Sequence, residues 1–296
     1  MKKLFILAIC VVATFASCKK ENINQSQNNQ NQDDIEIVTF QFQPYQMDPM
    51  RGSKEVESSG IEDYCTRLDI YVFDTLDMEN PVAVVHQNTS ENQNFGTMST
   101  VLQTNKYYTI YAVAHKCLDV ATLNGDVIVF PEGKTTQSFF YKDTFTPANG
   151  LSKTCVMDRI VGMFKMETTD IVPDDVTKFT FVIDTIGSNW NVNGYSENRT
   201  ERTVVFENFS TFGNGTVGFN VYLIGDDMEN TTNVNIVATA YYSNGDVAEQ
   251  RTFENVPIKN GWVTKYIGTF FVSFEMGFTF EANGWNEFTP VSYIVG

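Results

Sequence analysis

Apolar and polar residues alternate in twos along much of this chain. In residues 35–43, Val38, Phe40 and Phe42 share one face, and Thr39, Gln41 and Gln43 share the other. A period of two predicts a half-buried β-strand. Pro44 ends it, because proline cannot donate to a ladder. Leu68, Ile70 and Val72 alternate with Asp69, Tyr71 and Phe73 in a second strand. Residues 82–85, 107–114, 127–130 and 137–141 read as further strands, and 118–123 as one helical turn. Later strand-like segments are 160–167, 179–184, 203–206, 217–224, 234–242, 247–253, 264–274, 278–280 and 291–295. Asn244-Gly245 between 234–242 and 247–253 predicts a tight hairpin with positive φ at both central positions. No segment keeps helical periodicity for three turns.

The organisation follows from where this pattern stops. Lys2 and Lys3 precede a 13-residue apolar run, 4–16. At 1.5 Å per residue the run is too short to cross a ~30 Å hydrocarbon core as a helix. It ends Phe15-Ala16-Ser17-Cys18, which resembles a bacterial lipoprotein signal, although Phe15 stands where that signal usually has Leu. In that group the cysteine becomes the first mature residue and carries lipid, so Cys18 is the expected lipidation site. Residues 19–34 are an Asn/Gln-rich tract with one apolar residue, Ile23. Such a tract cannot bury enough surface to fold, and it reads as a tether. Turn residues cluster at Thr146-Pro147-Ala148-Asn149-Gly150. The expected layout is a signal at 1–17, lipidated Cys18 and tether at 18–34, and two β-domains at 35–150 and 151–296. Short strands in two such blocks predict an all-β fold of two tandem antiparallel β-sandwich domains.

Composition then narrows the function. Twenty Lys and Arg stand against 36 Asp and Glu, a formal charge of −16. Removing Lys2 and Lys3 leaves 18 bases against 36 acids, or −18. A chain this acidic repels phosphate backbones, so no nucleic-acid partner is expected. There are two His, His86 and His115, a poor basis for a His metal site or triad. His115 ends a strand and reads as a surface or capping residue. The sequence has no Gly-x-Ser-x-Gly elbow, phosphate-binding Gly-x-x-x-x-Gly-Lys or His-Glu-x-x-His. No catalytic residue, metal or cofactor is expected, and the chain does not read as an enzyme. Residues 225–230 hold three carboxylates but lack the alternate spacing of a calcium loop, so they read as an acidic turn. Trp190, Trp262 and Trp285 are rings that could stack on sugars, although a tryptophan in a sandwich more often fills a core. Once Cys10 and Cys18 are set aside, Cys65, Cys117 and Cys155 remain. A Cys65–Cys117 disulfide is one arrangement and three free or buried thiols the other, since spacing cannot fix connectivity.

A resemblance emerges from the order of several degenerate motifs. A first strand ends near Asp48-Pro49-Met50-Arg51, and Arg67-Leu68-Asp69-Ile70-Tyr71-Val72-Phe73-Asp74 follows. Then come Met157-Asp158-Arg159-Ile160-Val161-Gly162-Met163-Phe164, Asn255-Val256-Pro257-Ile258-Lys259-Asn260 and Thr264-Lys265-Tyr266-Ile267-Gly268. After a lipoprotein signal and tether, this series resembles the fimbrillin-type (type V) pilus proteins of Bacteroidetes. It is most similar to their fimbrillin-A-associated anchor and accessory lipoproteins, over nearly the whole mature chain. The resemblance implies transthyretin-like sandwiches and a structural place in a fimbria, with other fimbrial subunits as partners and a lipid anchor in the outer membrane, exposed at the cell surface. It also implies assembly by β-strand addition, with Val38, Phe40 and Phe42 as knobs of an exchangeable first strand and Arg51 at the position of proteolytic processing. Anchor subunits of the group can keep that strand. The alternative reading is an outer-membrane lipoprotein that binds polysaccharide. A glycan or host ligand is left unnamed in either case.

Overall fold

The computed structural model describes residues 35–45 and 60–272, and the backbone of 279–284. The alternating first segment is strand β1 (Ile35–Pro44). The first half continues with β2 (Arg67–Asp74), β3 (Asp77–Asn88), β4 (Thr97–Gln103), β5 (Tyr108–His115), β6 (Thr122–Asn124), β7 (Val127–Val129), β8 (Phe139–Phe145) and β9 (Ser152–Arg159). Seven of these form one sheet in the order β3-β2-β5-β8-β9-β1-β4. β8 and β9 pair only at Phe139↔Arg159 and Phe140↔Asp158. There the sheet folds over on itself, and β9-β1-β4 packs against β8-β5-β2-β3. The shared core holds Val38, Phe40 and Phe42 of β1, Leu68, Ile70 and Val72 of β2, and Phe139 and Phe145 of β8.

The second half supplies β10 (Gly162–Thr168), β11 (Val176–Ile186), β12 (Asn189–Asn191), β13 (Tyr195–Glu197), β14 (Thr200–Glu207), β15 (Gly218–Leu223), β16 (Thr232–Tyr242), β17 (Val247–Ile258), β18 (Trp262–Gly268) and β19 (Thr279–Gly284). Two four-stranded sheets, β15-β10-β18-β19 and β14-β11-β16-β17, face each other. Aromatic rings fill the space between them. Phe164 meets Phe181 at 6.0 Å and Phe253 at 5.4 Å, and Phe179 meets Phe219 at 4.6 Å. The fold is therefore all-β, two sandwiches in tandem. It departs from a purely antiparallel design at two pairings, because β1 runs parallel to β9 and β10 parallel to β18.

The two halves also share a small sheet, β13-β12-β7-β6, with two strands from each. It covers the outer face of the first sandwich and buries Trp190 with Phe73, Tyr111, Val113, Ile128, Phe130, Phe140, Ile160 and Ile224. Thr135 donates to the Tyr222 carbonyl at 2.7 Å, and Lys142 to the Val192 carbonyl at 3.3 Å. The described residues accordingly fall in one compact unit.

Several expectations are corrected. β4 was not foreseen, because Met98 and Leu102 are its only buried side chains and the rest are largely Thr and Ser. β9 lies beyond the boundary drawn at 150–151, yet it pairs with β1 and β8, so the change of sheet comes between Arg159 and Gly162. Residues 118–123 form no helical turn, and the strand expected over 264–274 ends at Gly268. The Asn244-Gly245 hairpin is present, but of the two only Gly245 takes positive φ, 91°. Gly245 N–H donates to Tyr242 O and Tyr242 N–H to Asp246 O, the three-residue loop with a glycine bulge. Segment 291–295 and Trp285 lie outside the described residues.

Trp190→Ala is expected to lower unfolding free energy by about 3–5 kcal/mol, read from urea denaturation. A loss below about 1 kcal/mol would show that the junction is not held by this ring.

Candidate functional site

β1 lies between two partners. It pairs antiparallel with β4 from Ile35↔Gln103 to Gln41↔Thr97 and parallel with β9 from Thr39↔Ser152 to Pro44↔Met157. The flanking loops add bonds: Thr39 N–H to Leu151 O at 2.9 Å, Tyr45 N–H to Met157 O at 2.8 Å, and Phe42 N–H to Gly96 O at 2.8 Å. Gly96 has φ +84°, and a Cβ there would sit 3.0 Å from Ile61 Cγ2. Only glycine lets the backbone take this turn and approach β1 so closely.

The three side chains foreseen from sequence are together and buried. Val38, Phe40 and Phe42 point into the core. Phe40 meets the Phe145 ring edge-on at 5.1 Å, and Phe42 meets Tyr141 at 6.2 Å. Burying each contributes about 1.5–3 kcal/mol. The opposite face of β1 carries Thr39, Gln41 and Gln43, with Thr39 and Ser99 hydroxyls 2.9 Å apart. Adjacent strands lie about 4.8 Å apart, so without β1 the slot between β4 and β9 would be one strand wide, lined by unpaired ladder groups on both sides. Cys18 and Arg51 lie outside the described residues.

The remaining candidates resolve differently. Cys65, Cys117 and Cys155 are all free, so the Cys65–Cys117 disulfide is not formed. Their thiols turn to separate acceptors: Cys65 faces the first core and donates to Gln137 O at 3.6 Å, while Cys117 donates to Lys134 O at 3.4 Å. Burial pushes the Cys65 thiol pKa well above its ordinary value and that of Cys155 up to about 11. Trp190 is sealed in the junction, so it presents no face to a sugar, and Lys259 lies 5.2 Å from the Trp262 ring. In the 225–230 turn, Asp227 accepts N–H bonds from Glu229 and Asn230, and Asp226 pairs with Arg199. Bonds from the Asn230 side chain and backbone hold the Asp227 carboxyl pKa below its usual value. Its lone pairs thus close its own turn.

His115 is not a surface residue. Its side chain is fully buried, and its Nε2 lies 2.9 Å from Asp69 Oδ2. Cys117 N–H donates to its Nδ1 at 3.1 Å, which assigns the proton to Nε2 in the neutral ring. His86 Nδ1 contacts Asp69 Oδ1 at 2.8 Å, and Ala121 N–H donates to Oδ2 at 2.9 Å. Both described histidines therefore converge on one buried carboxylate, which ties the 116–121 loop and β3 to β2. An Asp within an alternating strand was the only sequence signal, and nothing linked it to residues 17 and 46 positions away.

No protein-family model matches the chain, and no curated protein resembles it at a significant level. Solved structures do. A provisionally named polysaccharide-binding protein from Bacteroides thetaiotaomicron aligns with TM-score 0.51 at 10% identity, over 84% of this chain and 96% of its own. A provisionally named adhesin from Bacteroides ovatus aligns with TM-score 0.50 at 11% identity, over 88% and 97%. The fimbrial anchor protein Mfa2 from Porphyromonas gingivalis aligns with TM-score 0.42 at 11% identity, over 85% and 98%.

Phe40→Ala is expected to cost about 3–5 kcal/mol in urea unfolding, against under about 0.5 kcal/mol for Gln41→Ala on the outer face. Equal losses would mean that β1 is not held by its inward side chains. Cys65, Cys117 and Cys155 are also expected to resist alkylation at pH 8 when native and to react fully in urea; a mass two hydrogens short would reveal a disulfide. Over 84% and 88% of its length, respectively, this chain is similar in fold to the B. thetaiotaomicron and B. ovatus proteins.

Proposed function

We propose that this chain is a structural subunit of a fimbria, an anchor or accessory component held at the outer membrane by lipid on Cys18 and displayed at the cell surface. It joins other fimbrial subunits by β-strand addition. One observation carries the reading: β1 is an internal strand, paired on both sides and anchored by Val38, Phe40 and Phe42, yet it enters from the polar tether and leaves toward Arg51. Once the chain is cut after Arg51, a strand so placed can be replaced by another of the same pattern, because main-chain bonds supply affinity and alternate side chains set register; a subunit that stays on its Cys18 lipid is one that keeps β1. The order of motifs resembling fimbrillin-associated lipoproteins supports this assignment, as does the adhesin name of a structural neighbour. The domain division at 35–150 and 151–296 shifts, in this reading, to a division near 160–162. No catalytic role is assigned. Polysaccharide binding, the name given to the other neighbour, is less well supported, because Trp190 is spent on the junction.

Treating the precursor with a trypsin-like protease tests strand addition. Cleavage after Arg51 is expected to leave β1 seated until mild warming. The opened chain should then capture a synthetic 35–44 peptide, and Phe40→Ala in the peptide should weaken capture about 100-fold or more. Arg51→Ala should block the sequence of events. A cleaved chain that releases β1 and binds no strand would overturn the mechanism.

A further inference from the structure

The end of the first sandwich where β1 begins exposes several large apolar side chains. Leu76, at the β2–β3 turn, is 93% exposed, and Tyr107, before β5, is 65% exposed. Ile35 and Ile37 open β1 with exposed side chains, and Val101, opposite Ile37 on β4, is exposed too. These residues lie at one end. Thr75 N–H donates to Tyr107 O at 3.0 Å, joining the two turns. Gln103, opposite Ile35, donates its N–H to the Tyr108 hydroxyl at 3.2 Å. The turns are held firmly: Asp74 accepts Leu76 N–H at 3.0 Å and pairs with Lys106 at 2.8 Å.

We propose that this end is a lipid-facing surface, with Leu76 and Tyr107 dipping into the interface of a bilayer of zwitterionic headgroups. The inference rests on the lipid anchor at Cys18 proposed above. The chain leaves the fold at Ile35, and 16 residues separate it from Cys18. A flexible tract of that length has an r.m.s. span of about 20–24 Å. The anchor therefore keeps this end of the first sandwich within reach of the membrane. A Leu and a Tyr on two neighbouring turn tips suit the boundary between headgroup and acyl chain, where an amphipathic ring keeps its hydroxyl in water. Asp74, Asp77 and Glu79 beside them disfavour an anionic surface. A second copy is a poor occupant, because each mature chain carries −18 and repels its like.

The test uses the mature chain on phosphatidylcholine vesicles with brominated acyl chains, with wild-type fluorescence subtracted. Intact mass first reports whether Cys18 is lipidated; failure there sinks the anchor reading alone. The surface is then tested on chain coupled through Cys18 to a maleimide phospholipid, the other three thiols being buried. Leu76→Trp is expected to be quenched about twofold or more beyond Phe212→Trp, an exposed position in the second sandwich. Adding anionic lipid should reduce that quenching. Equal quenching at both sites, none at Leu76, or a Leu76-dependent dimer in place of membrane contact would each overturn the proposal.

Discussion

The ladder on both sides of β1 is the constraint on which the first sandwich depends. β4 and β9 do not pair with each other, so β1 is what makes them one layer. β9 in turn reaches the opposite layer through only two residue pairs with β8. Without a strand in the slot, the layer loses its centre, and Phe145 and Tyr141 lose the rings packed on them. An unfilled slot exposes apolar surface and two rows of ladder groups, which favours filling by any strand of matching period. The interaction that stabilises the fold and the one proposed to join subunits are thus the same.

The junction converts two sandwiches into one body. Tandem domains joined by a bare linker would reorient freely, but here each half contributes two strands to a shared sheet over an apolar cluster. Trp190 fills that cluster from the second half, and Tyr111 and Phe140 meet it from the first, their rings 6.3 Å apart. A subunit that transmits load along a fibre, or holds one to a membrane, gains from such a rigid joint. The Asp69 network adds a second brace, since one buried carboxylate with three donors holds β3, β5 and the 116–121 loop in register. Burying that charge is tolerable only because every donor is in place.

Charge is distributed unevenly around this frame. The second sandwich protects its open edges in the usual way, with Glu201, Arg202 and Glu207 on β14, and with Glu249, Arg251, Glu254 and Pro257 on β17. The strand that edges the first sandwich at β4 carries no charge, and neither does the outer face of β1 beside it. The outward faces of β1 and β4 are thus uncharged, while Asp74, Asp77 and Glu79 stand at the β2–β3 turn at the same end of the sandwich.

Strand periodicity is a local property, and the sequence by itself determined it: β1, β2, β5, β16 and β17 were legible, as were the inward faces of Val38, Phe40 and Phe42. The all-β class followed, and so did the absence of helical pattern. Less apolar strands escaped, as β4 shows. Partner choice was also illegible, because every strand offers the same backbone donors and acceptors on its edges. Packing of distant side chains selects among them, so only the tertiary structure placed β1 in parallel beside β9, more than 100 residues later. The same selection carried β9 across the turn that had marked a domain boundary, brought both histidines to Asp69, and turned Trp190 from a candidate ring for sugars into the centre of the junction.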